Sequence, residues 1–433
     1  MVWFDKLKLK KQLVRSVNEA GYTSPKEIQL RTLSRINGGQ DVVAIAPEGA
    51  GKTTAYVLGT LNRFNHAPEG VPSVLILVPD KDQVLAVLEM FNRFNKNQSI
   101  KIVGLYVTPG IEGQMDELAD GADIVVATPD RARAIYLKLG LNLNKIELFI
   151  IDEGDQMIKK GMQLPLAELA NSVTKCQRLL FTDVLHSRLE RVIEPFMISP
   201  AIVEVDELEE QGIQTFSQLL YHVPNFGTKL NLLNLFITDD EVFTKVVVFV
   251  NSRSTAETIY NNLHRKIKEA VAFLNAPFID LKGYKDIEAF KADESARILL
   301  VSNDNAGDLD LDDIPFLIHF DVPAEKETYI SRVTNHFPDV ENETLALTFT
   351  TDLELSDVKK IEQSIGQKIT VADLPEELVI EKEIKTKKKE EKEPAKTDAP
   401  VTGAAFHEKK AANSKTYNYS SGTKAKMNNK RKH

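Results

Sequence analysis

The chain has 433 residues, of which 42% are hydrophobic and 27% charged, and a formal net charge of −9; that length fits two or three domains, each with its own core. The single cysteine, Cys176, excludes an internal disulfide framework and a cysteine-based zinc site, and fits a reducing compartment. No run reaches the roughly 18 apolar residues of a membrane span, and "MVWFDKLKLKKQ" has no apolar core of a secretory leader, so a soluble, cytoplasmic protein is expected.

Taken in chain order, the runs "DVVAIA", "SVLILVP", "KIVGLYV", "ADIVVAT", "ELFIID" and "RLLFT" follow one another up to Phe181. Between them lie segments such as "KDQVLAVLEMFNRF", apolar at i, i+3, i+4 and i+7. Short, continuously apolar strands bounded by helices predict a parallel sheet covered on both faces. The polar, acidic stretch "DELEEQGIQ" at 206–214 predicts a linker. The alternation then resumes with "KVVVFV", a helix through "TAETIYNNLHRKI", and the runs "ARILLVS", "PFLIHF" and "TLALTFT". The expected organisation is an α/β chain of two similar lobes, 1–205 and 215–372, followed by a tail, 373–433. The tail's charge run with prolines, then Lys, Asn, Ser and Gly, cannot bury enough surface to offset its ordering entropy, so it is predicted to be disordered.

Charge is divided unevenly along the chain. From Glu381 onward the balance is about +8, leaving about −17 on the remainder. The tail interleaves lysines with Tyr417 and Tyr419, a composition that suits phosphates and unpaired bases and also suits a tail that keeps an acidic body soluble.

"IAPEGAGKTT" at 45–54 sits between a predicted strand and a predicted helix. Gly49 and Gly51 let backbone N–H groups turn toward an anion, and the helix N-terminus adds positive potential. Lys52 supplies a cation for outer phosphates and Thr53 a hydroxyl for Mg²⁺. The strict phosphate-loop pattern has Gly where Ala46 stands, and Glu48 puts a carboxylate beside the expected polyanion. Further on, the apolar strand "LFIID" ends in Asp152 and Glu153, where a phosphate-loop ATPase places a metal-holding acid and a water-orienting acid.

With these residues in this order, the chain resembles the DEAD-box RNA helicases through nearly all of residues 1–372. "GYTSPKEIQ" resembles the family's Q motif, with Gly21, Pro25, Ile28 and Gln29 in place and Phe4 upstream. The resemblance implies that Gln29 reads an adenine edge and that Phe4 stacks near the base. "APEGAGKT" stands for motif I and "DEGD" for motif II, with Gly154 in place of Ala. "PDKDQV" at 79–84 resembles motif Ia, with Pro79 kept and Lys81 for Arg; "TPDR" at 128–131 resembles motif Ib. The resemblance implies that Pro79, Lys81, Thr128 and Arg131 grip an RNA backbone, for which a hydroxyl and a forked cation are suited.

Departures begin at motif III, where Thr182, Asp183 and Val184 replace Ser-Ala-Thr. In the second lobe "VVFVNSRSTAE" keeps Phe249 of motif IV. "SNDNAGDLD" aligns Ser302, Asn303, Ala306 and Asp310 with motif V, with Gly307 in place of its arginine. "YISRVTNHFP" keeps Arg332 of motif VI, and Asn335 and Pro338 replace its next two arginines. Those arginines, by the resemblance, reach the γ-phosphate; comparable arginine fingers are worth roughly 10³–10⁵ in rate, or about 4–7 kcal/mol.

The resemblance therefore implies two RecA-like lobes, each a mostly parallel sheet with helices on both faces. ATP and Mg²⁺ are expected at Phe4, Gln29, Gly49, Ala50, Gly51, Lys52, Thr53, Thr54 and Asp310, with Thr53 and Asp152 on the metal and Lys52, Asp152 and Glu153 as the catalytic set. RNA is expected at Pro79, Lys81, Thr128, Arg131 and Arg332. The expected function is an ATP-dependent RNA helicase or RNA-remodelling protein with weakened hydrolysis, monomeric and not membrane-bound. A protein partner could supply the missing arginines. The alternatives are a hydrolysis-deficient RNA clamp and a scaffold for protein partners.

Overall fold

The computed structural model describes residues 7–64, 70–206, 212–263, 265–275, 282–305, 309–335 and 344–382. Phe4, Ala306, Gly307, His336, Pro338 and the basic tail from 383 onward lie outside the described residues.

The first lobe carries seven strands: β1 (Val42–Ile45), β2 (Val74–Leu77), β3 (Ile102–Leu105), β4 (Ile124–Ala127), β5 (Leu148–Asp152), β6 (Gln177–Thr182) and β7 (Ala201–Glu204). They form one sheet in the order β3-β4-β2-β5-β6-β1-β7, and each pairing is parallel. Alternate side chains feed two separate cores, one on each face. Val42, Ala44, Ile76, Ile124, Ile150 and Leu179 belong to one; Val43, Leu75, Val125, Phe149, Ile151 and Leu180 belong to the other. This burial on both faces accounts for the continuous apolar runs of the sequence.

The second lobe repeats the build with β8 (Ser217–His222), β9 (Val246–Val250), β10 (Val271–Leu274), β11 (Gly283–Tyr284), β12 (Ile298–Ser302), β13 (Phe316–His319), β14 (Leu345–Thr350) and β15 (Thr370–Val371). Its order is β11-β10-β12-β9-β13-β14-β8-β15, again wholly parallel. The chain is thus a protein of two RecA-like lobes.

Helix starts follow local capping chemistry. Asp80, Asn225, Ser252 and Asp286 each accept a hydrogen bond from the backbone N–H three residues on, which satisfies one of the donors a helix leaves unpaired at its start. The helix Leu355–Ile365 ends at Gly366, whose φ of 80° suits glycine.

Ordered structure runs beyond the expected lobe boundary at 372. Leu374 and Leu378 pack against the second lobe's core. The backbone carbonyls of Val379 and Glu381 accept from Asn231 and Asn225, each at 2.7 Å. Two leucines and these bonds are enough to hold 373–382 on the lobe, so only the part of the tail from 383 lies outside the described residues.

The second lobe also buries a charge. Lys229 is 2% exposed; its Nζ donates to the Phe320 carbonyl at 2.8 Å and lies 2.6 Å from Glu354 Oε2. Glu354 also accepts from the Thr351 N–H and hydroxyl, at 2.9 and 2.8 Å. Glu354→Ala leaves the buried ammonium without its nearest carboxylate, and loss of one partner of such a pair costs about 3–5 kcal/mol. A loss at the lower end, about 3 kcal/mol because the Phe320 carbonyl remains, is expected in urea unfolding, with a smaller loss for Glu354→Gln.

Candidate nucleotide and RNA site

The order β5-β6-β1 sets the geometry. These three parallel strands are neighbours, so their carboxyl ends bring Asp152, Thr182–Asp183 and the loop 46–51 side by side. Crevices at the carboxyl ends of open α/β sheets are where such folds bind ligands. Within the loop, Gly49 and Gly51 have φ of 82° and 91°, the left-handed region that glycine adopts without strain. A Cβ on Gly51 would also lie 2.5 Å from Gln29 Nε2.

Gln29 is buried. Its amide oxygen accepts from the Lys26 backbone N–H at 3.0 Å, and its Nε2 points to the Gly51 carbonyl at 3.4 Å. Lys26 Nζ bonds the Gly49 carbonyl. The Q-motif segment therefore clasps the loop from outside, with Gln29 directed at backbone.

Lys52 opens the helix Lys52–Arg63 and is 8% exposed. Its ammonium donates to the carbonyls of Ala46 at 2.6 Å and Pro47 at 3.0 Å, and forms a buried ion pair with Asp183. A carboxylate of this protein thus stands in the contact that an anion would make. Asp183 falls where the family has alanine, and the sequence reading attached no partner to it.

Thr53 Oγ1 is 3.3 Å from Asp152 Oδ2, and the same oxygen accepts from the Tyr56 hydroxyl at 2.8 Å. Tyr56 is fully buried and fixes the carboxylate; it lies one helical turn beyond Lys52, a spacing that could have drawn attention to it. Among the described residues no group of three or more His, Cys, Asp or Glu could hold a metal alone. A single carboxylate beside a hydroxyl fits Mg²⁺, which keeps waters and takes phosphate oxygens as its remaining ligands.

Four carboxyl groups crowd this region. Burial raises Asp152 and Asp183 above the ordinary carboxylate range. Burial, then the charges of Asp152, Asp183 and Asp155, push Glu153 up to about 7. Glu153 has a left-handed φ of 53° and accepts from Gln83 Nε2 at 2.9 Å. Thr182 donates to Asp155 Oδ1 at 2.7 Å, and the Asp183 N–H points to the same oxygen at 3.3 Å. The surviving hydroxyl of the motif III position therefore binds motif II. A Cβ on Gly154 would come within 2.6 Å of Leu180 Cδ1, so the end of that side chain would have to shift.

The expected RNA contacts separate. Pro79 is buried and Lys81 exposed, with Lys81 Nζ 5.3 Å from the centre of the Tyr106 ring. Thr128 is buried, and its hydroxyl has no hydrogen-bond partner among the described residues. Arg131 is bonded within its own lobe. It is 9% exposed, and its guanidinium bonds Gln114 Oε1 at 2.7 Å, Thr108 Oγ1 at 2.9 Å and the Gly110 carbonyl. Those acceptors make it a brace for the loop after β3. Arg332 is likewise buried. It lies over the Phe249 ring at 4.1 Å and donates to Asn303 Oδ1 at 2.7 Å, and burial pushes it down to about 10. Asp310 is exposed and lies 3.3 Å from Lys291 Nζ. Arg297 is committed to the carbonyls of Phe243 and Ile237 at 2.6 and 2.5 Å.

The lobes meet through the segment that ends β14 and the helix Leu355–Ile365. Ser187 donates to Asp352 at 2.6 Å, Gln156 to Ser356 at 3.2 Å and Lys159 to Asp357 at 2.6 Å. Leu353 packs on the first lobe's core. Glu48 pairs with Lys360 at 3.0 Å, and Asp206 with Lys359 and Lys368 at 3.3 and 2.6 Å. Among the described residues no helix is long and apolar enough to cross a membrane.

A DEAD/DEAH box helicase family model matches residues 26–192. The chain is 28% identical over 85% of its length to the ATP-dependent RNA helicase eIF4A of Lodderomyces elongisporus, spanning 91% of that protein. It is also 28% identical over 86% of its length to the ATP-dependent RNA helicase DeaD of Buchnera aphidicola, spanning only 61% of that relative. A crystal structure of a DEAD box protein from Methanococcus jannaschii aligns with 86% of this chain and 99% of its own, at 21% identity and a TM-score of 0.48. Residues 26–192 thus match the DEAD/DEAH box helicases, and most of the chain is similar to DEAD-box RNA helicases.

Two outcomes test the electrostatics of the site. Asp183→Ala removes the carboxylate paired with Lys52; ATP–Mg²⁺ affinity, read by fluorescent-nucleotide titration, is expected to rise about tenfold, or about 1.4 kcal/mol. Glu153 keeps its proton in the folded chain up to about 7 but loses it near 4.5 when unfolded. That contribution to stability is full below about 4.5 and lost as pH rises through about 7. In nucleotide-free protein with chelator, the stability advantage of Glu153→Gln over wild type is expected to grow by about 2 kcal/mol between pH 5 and 8.

Proposed function

We propose that this protein binds ATP–Mg²⁺ and RNA and remodels short RNA duplexes with slow ATP turnover. The observation that carries the reading is the grouping of Lys52, Thr53 and Asp152 around a glycine loop, at the carboxyl ends of β1 and β5. Lys52 would hold outer phosphates once it leaves Asp183. Thr53 and Asp152 would hold Mg²⁺, directly or through water, with Tyr56 fixing the carboxylate. The metal would supply charge neutralisation at the phosphates. Glu153, held by Gln83, would orient the attacking water and accept its proton.

Slow turnover follows from two features. The ammonium of Lys52 is paired with Asp183, so phosphate must displace a buried carboxylate. Arg332 and Arg297 are bonded within their own lobe, where they cannot neutralise charge developing on a transferring phosphoryl group. The same two features favour, as a second reading, an RNA clamp that binds nucleotide without turning it over.

RNA binding is supported by the family and by the ends of β2 and β4. These adjacent strands lead to Pro79, Lys81 and Thr128, on the opposite side of β5 from Lys52. The exposed Lys81 suits a phosphate oxygen.

Labelled ATP with and without RNA decides between the readings. RNA-stimulated turnover that Lys52→Ala abolishes is expected, at a rate roughly 10³-fold or more below that of an enzyme with its arginine finger. Nucleotide and RNA binding without turnover would select the clamp. Failure to bind nucleotide at millimolar ATP would remove both.

A further inference from the structure

Glu48 and Asp183 are the two acidic departures from the family's pattern in the nucleotide site, and one lysine of the other lobe answers both. Lys360 Nζ is 3.0 Å from Glu48 Oε2. The attraction of the Lys360 ammonium holds the Glu48 carboxyl below its ordinary range. Lys360 also acts electrostatically on Asp183, the carboxylate that binds Lys52. The ammonium therefore stands over the glycine loop, within the field of both groups that flank the phosphate position.

Its placement is not accidental to one long side chain. The helix that carries Lys360 is fixed against the helix Gly154–Lys159, which follows the motif II acids, by Gln156–Ser356 and Lys159–Asp357. Lys359, the next residue, pairs with Asp206 just past β7. Lys360 is half-buried, with a side-chain exposure of 35%, so its charge is less screened than that of a surface lysine. Glu48 beside a triphosphate would be repelled without a cation between them. An ammonium has three donors, so it can keep Glu48 and still bond a phosphate oxygen.

We infer that Lys360 is the second lobe's cation for the triphosphate: it neutralises Glu48 and binds the terminal phosphate, in the role left open by Asn335 and Pro338. It is a substrate-binding residue, selecting triphosphate over diphosphate and joining nucleotide to lobe closure. The inference rests on the reading that the first lobe binds ATP–Mg²⁺.

The test compares affinities for a non-hydrolysable ATP analogue and for ADP, both with Mg²⁺, by calorimetry on the full chain. Wild type is expected to prefer the analogue. Lys360→Ala and Lys360→Gln are expected to weaken the analogue at least tenfold and ADP less than twofold, whereas Lys360→Arg keeps the preference. Glu48→Thr combined with Lys360→Ala is expected to recover part of the lost affinity, because the unpaired carboxylate is gone. Circular dichroism and the retained ADP affinity establish that the variants fold. Equal weakening of both nucleotides would assign Lys360 a purely structural part in the lobe contact and overturn the inference, as would no change in either; in both cases nucleotide binding itself stands. A wild-type chain that binds neither nucleotide removes the underlying reading and the inference with it.

Discussion

The parallel pairing of β6 with both β1 and β5 is the constraint on which the site depends. In register, Ile45 lies beside Thr182 and Asp152 beside Phe181. The three chains therefore leave the sheet together, and Lys52, Asp152 and Asp183 meet within a few side-chain lengths. Each strand is buried on both faces, so a shift of one residue would exchange every side chain between two filled cores. The register is held by packing, and the charged groups inherit their spacing from it.

Once assembled, the site is dense in negative charge. Asp152, Glu153, Asp155 and Asp183 share one region with a single nearby lysine of the same lobe. Folding accommodates this in several ways: Tyr56, Thr182 and Gln83 donate to three of the carboxyl groups, burial raises Asp152 and Asp183, and Glu153 titrates near neutrality. Such crowding is costly in an isolated fold and is what an incoming metal ion would relieve. The Lys52–Asp183 pair resolves the rest internally. It also sets a threshold for ligand, since a buried pair broken on one side leaves an uncompensated charge.

The lobe contact extends the same logic. Glu48 and Asp206 pair with Lys360 and Lys359 across the junction, and the helix Leu355–Ile365 carries much of it. By the family resemblance, the second lobe's arginines would follow the helix Lys326–Val333. In this chain the cationic face toward the glycine loop comes from a different helix, while Arg332 is retained for packing against Phe249.

The sequence by itself determined the two-lobed α/β build, the loop 46–51, and the order in which Gln29, Lys52 and Asp152 enter the chain. Those features are local: apolar runs reveal strands buried on both faces, glycines reveal a turn toward an anion, and an acid at a strand end declares its own position. The partners of the charges were decided only in three dimensions. Asp183 lies 131 positions from Lys52, and neither residue type announces the other; the pair exists because β6 lies beside β1. Arg131 and Arg332 sit at motif positions that suggest solvent-facing cations, yet burial and nearby acceptors turned both inward. Lys360 belongs to no motif, and its place over Glu48 follows from how one lobe docks on the other. Local pattern fixes which backbone a residue belongs to, whereas an ion pair depends on strand order and lobe contact, which are properties of the whole packed chain.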